Sequence, residues 1–428
     1  MTSRCITILF SVLLLFVGAK LKAQATDPFS ISLDVPDEDG IFNNVNMVQS
    51  ILKIQSNENT ENEFSVEWSI STDTWKPLMN QVLKVKIKGN TLFSVYCPIF
   101  VYPGPGFYRV MAEVKSEKGV VQKVQQVIGI DPEKIQAQTS SNDDFEQFWS
   151  QSIAELKKVD PKYKVTPVKR DKTTKTDLYK VEMQSFGGLT VRGWLEVPKK
   201  KGKYPALLRV PGYTENMKPI DQYDDLIVFS FNTRDHGESD DTGPRGYDMW
   251  VRGMESAYDY YYRGIILDCL KAVDYLANRD DVDMDRLAVW GGSQGGGLSF
   301  FTAGLDQRID LCIADVPYLC DMQNYFEITH WQEVDAWFES HPDQTWQSIL
   351  NTWTYFDSKN LATKIKCPVW MGIGLQDDVC PPSTSFATYN FIEAPKKFTV
   401  YKYEYHWQPD IHYVNGFKEL RKFFEMDK

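Results

Sequence analysis

Histidine is scarce in this chain, with five among 428 residues, so a reaction needing a general base near neutral pH has few candidates. Cysteine is present but never paired as CxxC, which argues against a zinc site. Six cysteines follow Cys5 (Cys97, Cys269, Cys312, Cys320, Cys367 and Cys380), scattered as buried small hydrophobes are; export would permit a disulfide, and the scatter leaves pairing open. Cations are outnumbered, 47 Lys and Arg against 58 Asp and Glu, for a net charge of -11. That balance disfavours nucleic acid or an anionic membrane as partner. No apolar run after the first 25 residues is long enough to span a bilayer. Internal repeats and low-complexity tracts are missing too.

What is present begins with an address. Arg4 precedes an apolar run from Ile6 to Ala19, and Ala23-Gln24-Ala25 fits a small-x-small cleavage site. Residues 1–25 are therefore expected to be a secretory signal peptide, cleaved near Ala25 to leave a secreted or periplasmic protein. The length calls for two domains. The aromatic share of 14% fits a well-filled core more readily than a sugar-binding surface.

Residues 26–130 read as β-structure. Phe64, Val66, Trp68 and Ile70 alternate with polar residues, and Tyr108, Val110, Ala112 and Val114 repeat the pattern. Short strands with turn signals between them predict an all-β, Ig-like sandwich. A polar break follows from Asp131 to Asn142, and Asp143 opens a helical pattern carrying Phe145, Phe148, Ile153 and Leu156. From 131 to 428 strands alternate with helices, which predicts an α/β domain with a mostly parallel sheet. The β-region has no His and no Ser in a nucleophile-type turn, so it is expected to present the catalytic domain or set its oligomeric state. On that view the catalytic domain would work without it. Trp68 belongs to its core, whereas Trp75, after a turn, is the better candidate for an exposed ring.

The strongest chemical signal is Gly291-Gly292-Ser293-Gln294-Gly295, between a predicted strand (286–290) and a helical run (298–305). A serine at a sharp strand-to-helix turn needs small neighbours, and the turn lifts its hydroxyl above the strand ends. A phosphate loop would need a Lys and an acidic partner motif that are absent. Ser293 needs a base, and in α/β-hydrolases the chain order is Ser, acid, His. His236 precedes the serine, and His330 and His341 precede any plausible acid. His406 falls in the loop at the end of the last strand, read as Phe398 to Tyr405; His412 falls inside the final helix, where a surface position is expected. The acid ends the preceding strand, at Asp377 or Asp378, in a loop stiffened by Pro381-Pro382. The amides of Gln294 and Tyr213 are the candidate oxyanion donors.

Several motifs, in order, are similar to those of the acetylxylan esterase and cephalosporin-C deacetylase family. They are Tyr261-Tyr262-Arg263-Gly264, the GGSQGGG stretch from Gly291 to Gly297, Asp315-Val-Pro-Tyr-Leu319, Tyr355-Phe356-Asp357, Asn360-Leu361-Ala362 and Gly374 to Pro382. The resemblance runs from about Asp144 to the C-terminus. It implies an α/β-hydrolase fold that removes acetyl groups from sugars without cofactor or metal, an acetylated carbohydrate as partner, and assembly into closed homo-oligomeric rings. It favours Asp377 over Asp378 and supports Tyr213. The chain departs from the family at Arg234-Asp235-His236, where the family has Arg-Gly-Gln, and at Pro211-Gly212-Tyr213, where it has His-Gly-Tyr; the first would add a charge near the site. The β-domain is an addition. The implied reaction is deacetylation of acetylated xylan or its oligosaccharides by Ser293, His406 and Asp377. Its rivals are a prolyl-oligopeptidase-like peptidase and an inactive glycan-binding homologue.

Overall fold

The structure is a computed structural model that describes residues 27–100, 104–139, 141–171, 173–241 and 248–426. The expected signal peptide lies outside the described residues. Among those described, no helix is long and apolar enough to cross a membrane.

The leading region contains strands β1 (Phe29–Asp34), β2 (Ile41–Phe42), β3 (Met47–Ser56), β4 (Asn62–Thr72), β5 (Pro77–Ile87), β6 (Leu92–Phe100), β7 (Gly106–Ser116) and β8 (Val121–Ile130). They form a three-stranded sheet, β1-β3-β6, and a five-stranded sheet, β2-β8-β7-β4-β5. The period-two alternation decides which residues face inward: Phe64, Val66, Trp68 and Ile70 of β4 are all buried. Phe64, Val66 and Trp68 pack with Leu52 and Ile54 of the other sheet and with Ala112 and Val114 of β7.

The second region is built on a nine-stranded sheet. Its strands are β9 (Lys164–Val168), β10 (Thr176–Gln184), β11 (Thr190–Pro198), β12 (Tyr204–Arg209), β13 (Ile227–Asn232), β14 (Val282–Gly292), β15 (Leu311–Asp315), β16 (Val369–Gly374) and β17 (Lys396–Tyr401). The order is β17-β16-β15-β14-β12-β13-β11-β10-β9. From β13 to β17 every pairing is parallel, and only β11, β10 and β9 pair antiparallel. Helix α1 (Phe145–Lys157) precedes the sheet, α2 (Tyr261–Ala277) and α3 (Gln294–Leu305) flank β14, and α4 (Met322–Ile328), α5 (Gln332–Ser340) and α6 (Trp346–Trp353) form an insertion after β15. Helices α7 (Pro382–Tyr389) and α8 (Asp410–Phe423) follow β16 and β17. The central parallel strands are buried on both faces, and β13 is buried at every residue, as crossover helices require.

One expectation needs correction. The last strand ends at Tyr401, because residues 402–405 leave the sheet to carry the His406 loop across the end of β16. The sandwich keeps clusters of its own around Val66 and Ile128, while Ile41, Phe107 and Val127 pack in the cluster that contains Phe386, Leu375 and Ile373.

Candidate functional site

Ser293 occupies the turn from β14 into α3 with φ 58° and ψ -122°. For a residue with a Cβ this backbone costs about 1–3 kcal/mol, which the surroundings must offset. Its N–H donates to Asp315 O at 2.9 Å, and its carbonyl accepts from the Gly296 and Tyr318 N–H groups at 2.9 Å each. Small neighbours are a steric need. A Cβ on Gly291 would come 2.5 Å from Gly295 O, and one on Gly295 would come 2.6 Å from Val210 O.

His406 Nε2 lies 2.9 Å from Ser293 Oγ, and its Nδ1 lies 2.8 Å from Asp377 Oδ2. A carboxylate only accepts, so Nδ1–H donates to Asp377 and Nε2 is left to accept the serine proton. The other carboxylate oxygen accepts from the Val379 and Cys380 N–H groups at 2.9 and 2.8 Å. Burial pushes the Asp377 pKa up, and the His406 hydrogen bond and these two amides oppose that shift. Asp378 is exposed and sits in the field of Arg109. The structure thus brings Ser293, His406 and Asp377 into one hydrogen-bonded line and leaves Asp378 outside it.

Gln294 opens α3, where the first N–H groups have no partner inside the helix. Gly212 lies against the nucleophile turn, since a Cβ there would be 3.4 Å from Gly292 O and 3.9 Å from the Ser293 Cβ. Its N–H donates to Glu215 Oε2 at 2.8 Å, closing the turn that carries Tyr213. Tyr213 lines the same cavity as Ser293 and His406. Burial pushes its phenol pKa up to about 12, so the ring stays neutral. The side of Ser293 that holds Tyr318 is walled by rings: Tyr318 packs on Tyr262 at 6.0 Å and on Tyr325 at 5.2 Å.

The loops carrying acid and base are joined to each other and to the sandwich. Leu375 N donates to Tyr401 O at 3.0 Å and Gln376 N to Glu404 O at 2.9 Å. The Gln376 side chain bonds both backbone groups of Val127 and the carbonyl of Lys402. Lys402 Nζ donates to Val35 O and Asp37 O at 2.6 and 2.7 Å. Trp75 is 49% exposed, as expected of a residue after the turn, and it also donates from Nε1 to Ile328 O at 3.2 Å while the Arg109 guanidinium lies 4.1 Å from its ring centroid. It is a contact between the sandwich and α4.

The other histidines fall elsewhere. His236 does not add a charge. It is buried, Nδ1–H donates to Arg234 O at 2.9 Å, and Nε2 accepts from the Gln294 amide at 3.1 Å. Burial lowers its pKa, and Asp235 beside it pairs with Arg252 at 3.0 Å. His412 is not on the surface of α8: it is 9% exposed and bonds Asp315 Oδ1 at 2.8 Å and the Tyr401 hydroxyl at 3.1 Å. Asp315 also accepts from Trp290 Nε1 at 2.7 Å. A second His–carboxylate pair therefore sits behind the nucleophile turn. His330 pairs with Asp335 and His341 stacks on Trp337, both on the α5 insertion. Among the described residues, no three His, Cys, Asp or Glu side chains are grouped to hold a metal ion.

Ser293, His406 and Tyr213 open into a cavity of about 940 Å³ that runs along α8 to Tyr413 and Phe417.

Residues 131–424 match the family model described as acetyl xylan esterase (AXE1). The chain is 31% identical over 302 residues to the acetyl esterase Axe7A of Xylanibacter ruminicola, which spans 65% of this chain and 67% of that protein. It is similar in structure to the acetyl xylan esterase from Paenibacillus sp. R4, with a TM-score of 0.62, 28% identity, and coverage of 68% of this chain and 98% of that one. Acetyl xylan esterase 1 from Thermoanaerobacterium sp. JW/SL YS485 aligns comparably, with a TM-score of 0.61, 28% identity, and 68% and 97% coverage.

Proposed function

Because the chain belongs to the acetyl xylan esterase family, and is therefore a carboxylic ester hydrolase, we propose that it deacetylates acetylated xylan or its oligosaccharides through an acyl-enzyme on Ser293. The observation that carries this reading is the unbroken line from Ser293 Oγ through His406 to Asp377. Ser293 Oγ attacks the acetyl carbonyl carbon as His406 Nε2 takes its proton, and Asp377 stabilises the imidazolium. The oxyanion is held by the amides of Gln294 and Tyr213. As the intermediate collapses, the sugar oxygen leaves with the proton from His406. Water, deprotonated by the same nitrogen, then attacks the acetyl-enzyme and releases acetate. The ring wall at Tyr318 and Tyr262 supports selection of a short acyl group. The reading also takes residues 26–130 as the β-sandwich domain, 131–428 as the catalytic domain, and the first 25 residues as an export signal.

The deciding assay compares acetylated xylan, the p-nitrophenyl esters of acetate, propionate and octanoate, and a Pro-peptide amide. Acetate release from the first two is expected, with a modest loss for propionyl, about 1–3 kcal/mol per misplaced methylene, and a steep one for octanoyl. Octanoate turnover equal to acetate, or efficient amide cleavage, would overturn the reading.

A further inference from the structure

Ser293 is held in its strained turn by a segment that is itself strained. Asp315, the last residue of β15, accepts the Ser293 N–H through its carbonyl at 2.9 Å, and Tyr318 N donates back to Ser293 O at 2.9 Å. Between them Val316 has φ 37°, a conformation that β-branched residues strongly resist, while its N–H donates to Gly372 O at 2.8 Å. Such a segment keeps its shape only where the surroundings over-determine it. The Asp315 side chain supplies an anchor. It is buried; Oδ2 accepts from Trp290 Nε1 at 2.7 Å, and Oδ1 lies 2.8 Å from His412 Nε2. A carboxylate only accepts, so the imidazole donates from Nε2 and turns Nδ1 to the Tyr401 hydroxyl, 3.1 Å away. Gly372 on β16 makes room for the pair, since a Cβ there would lie 2.6 Å from Asp315 Oδ1 and 2.7 Å from His412 Cε1. His412 stands on the first turn of α8, directly after the loop that carries His406. The pair therefore ties the segment holding the nucleophile to the segment carrying the base, outside the line from Ser293 to Asp377.

We propose that His412 is a positioning residue for the nucleophile: through Asp315 it fixes the carbonyl that holds the Ser293 N–H, and with it the distance from Ser293 Oγ to His406. This inference rests on the reading of Ser293 as the nucleophile of an acyl-esterase. A buried carboxylate that loses a donor is costly to leave in place, so without the imidazole N–H the Asp315 side chain turns and the strained backbone beside it relaxes. His412 and Asp315 reach the reaction through the backbone of the nucleophile, so the loss appears in kcat with KM little changed.

The test compares the full chain with His412→Asn, His412→Gln, Asp315→Ala and the double variant Asp315→Ala/His412→Asn. An Asn amide nitrogen falls where Nδ1 does, facing Tyr401, and stops short of Asp315; a Gln amide nitrogen falls where Nε2 does. On p-nitrophenyl acetate His412→Asn is expected to lower kcat at least about tenfold, the scale of one hydrogen bond to a charged group. KM should stay within about twofold. His412→Gln should keep kcat within about threefold of the parent, and in the Asp315→Ala background His412→Asn should cost less than about twofold, because residues that act through one another are not additive. Capture of Ser293 by a fluorophosphonate should follow the same ranking. That capture needs no ester turnover, so failure of the esterase reading and failure of this one are distinguishable. Equal kcat in His412→Asn and His412→Gln, whether both normal or both low, overturns the assignment. So does a lowered melting temperature with kcat unchanged, which would leave the pair a stabilising contact only, or a His412→Asn loss undiminished in the Asp315→Ala background. If Asp315→Ala does not fold, the contrast between His412→Asn and His412→Gln decides alone.

Discussion

Gln376 Oε1 accepts the Val127 N–H at 2.7 Å while its Nε2 donates to the Val127 carbonyl at 3.1 Å, joining residues 249 positions apart. The residue before Asp377 thus holds the β-sandwich by both ends of one amide. The same Nε2 donates to Lys402 O at 2.7 Å, on the approach to His406. The sandwich is part of what fixes the distance from acid to base.

Gln376→Ala is therefore expected to lower kcat on p-nitrophenyl acetate roughly tenfold with KM little changed, the pattern of misplaced catalytic groups. Removing residues 27–130 should do more, because it bares Phe386 and Leu375, which pack in one cluster with Ile41, Phe107 and Val127. The truncated chain should be insoluble or inactive, contrary to the expectation from sequence that the catalytic domain works alone. A soluble truncated protein with turnover within threefold of the parent would show that the sandwich is dispensable.

Ser293→Ala and His406→Ala should each lower turnover by roughly four to six orders of magnitude, and the double variant should be little worse, since the groups act as a unit. Asp377→Asn should cost about 10⁴-fold through the wrong imidazole tautomer. Asp378→Asn, at an exposed position, should stay within threefold. Steady-state rates on p-nitrophenyl acetate decide the ranking, and a larger loss at Asp378 would move the acid by one residue.

His236 gives the stability a pH dependence whose sign follows from its burial. Its folded pKa is lowered from 6.5, so the unfolded chain takes up a proton near pH 6.5 and the folded chain does not. The stabilisation is complete above 6.5 and is lost as pH falls below it. Over that window the slope approaches ~1.4 kcal/mol per pH unit. His236→Gln places the family residue there and removes the effect. Urea melts at pH 7.5, 6.5 and 5.5 should show the gap between the two proteins shifting in favour of the variant as pH falls; parallel curves would refute this.

Gly374→Ala should inactivate without touching a reacting group. A Cβ at that position overlaps the Tyr405 carbonyl oxygen, so the loop ahead of His406 must move. A loss of at least 10²-fold in kcat is expected from a shift of about 1 Å, with cooperative melting retained. Near-normal kcat in this variant would mean that the loop can yield without moving the imidazole.

The parts of this site that were legible in the sequence are those set by local rules. A strand-to-helix turn demands glycine beside Ser293, and chain order left His406 as base. The sandwich strands showed themselves through period-two alternation. What stayed hidden depends on contacts between distant segments. Nothing near Gln376 announces Val127, and nothing in α8 announces Asp315 as the partner of His412. The strand end at Tyr401 was misplaced because Tyr403 and Tyr405 continue the alternation, yet both are exposed in a turn that follows the sheet. His236 read as an added charge because its burial cannot be seen from its neighbours.

The cysteines carry a last consequence. All six among the described residues are free and buried, and burial pushes each thiol pKa up, so little thiolate exists at neutral pH. The described fold therefore owes nothing to cross-links and should be indifferent to reductant. Because these thiols are spread from Cys97 in the sandwich to Cys380 beside the acid, each becomes reactive only when its own neighbourhood opens. An alkylating reagent applied to the native protein would read out, cysteine by cysteine, the order in which the molecule comes apart.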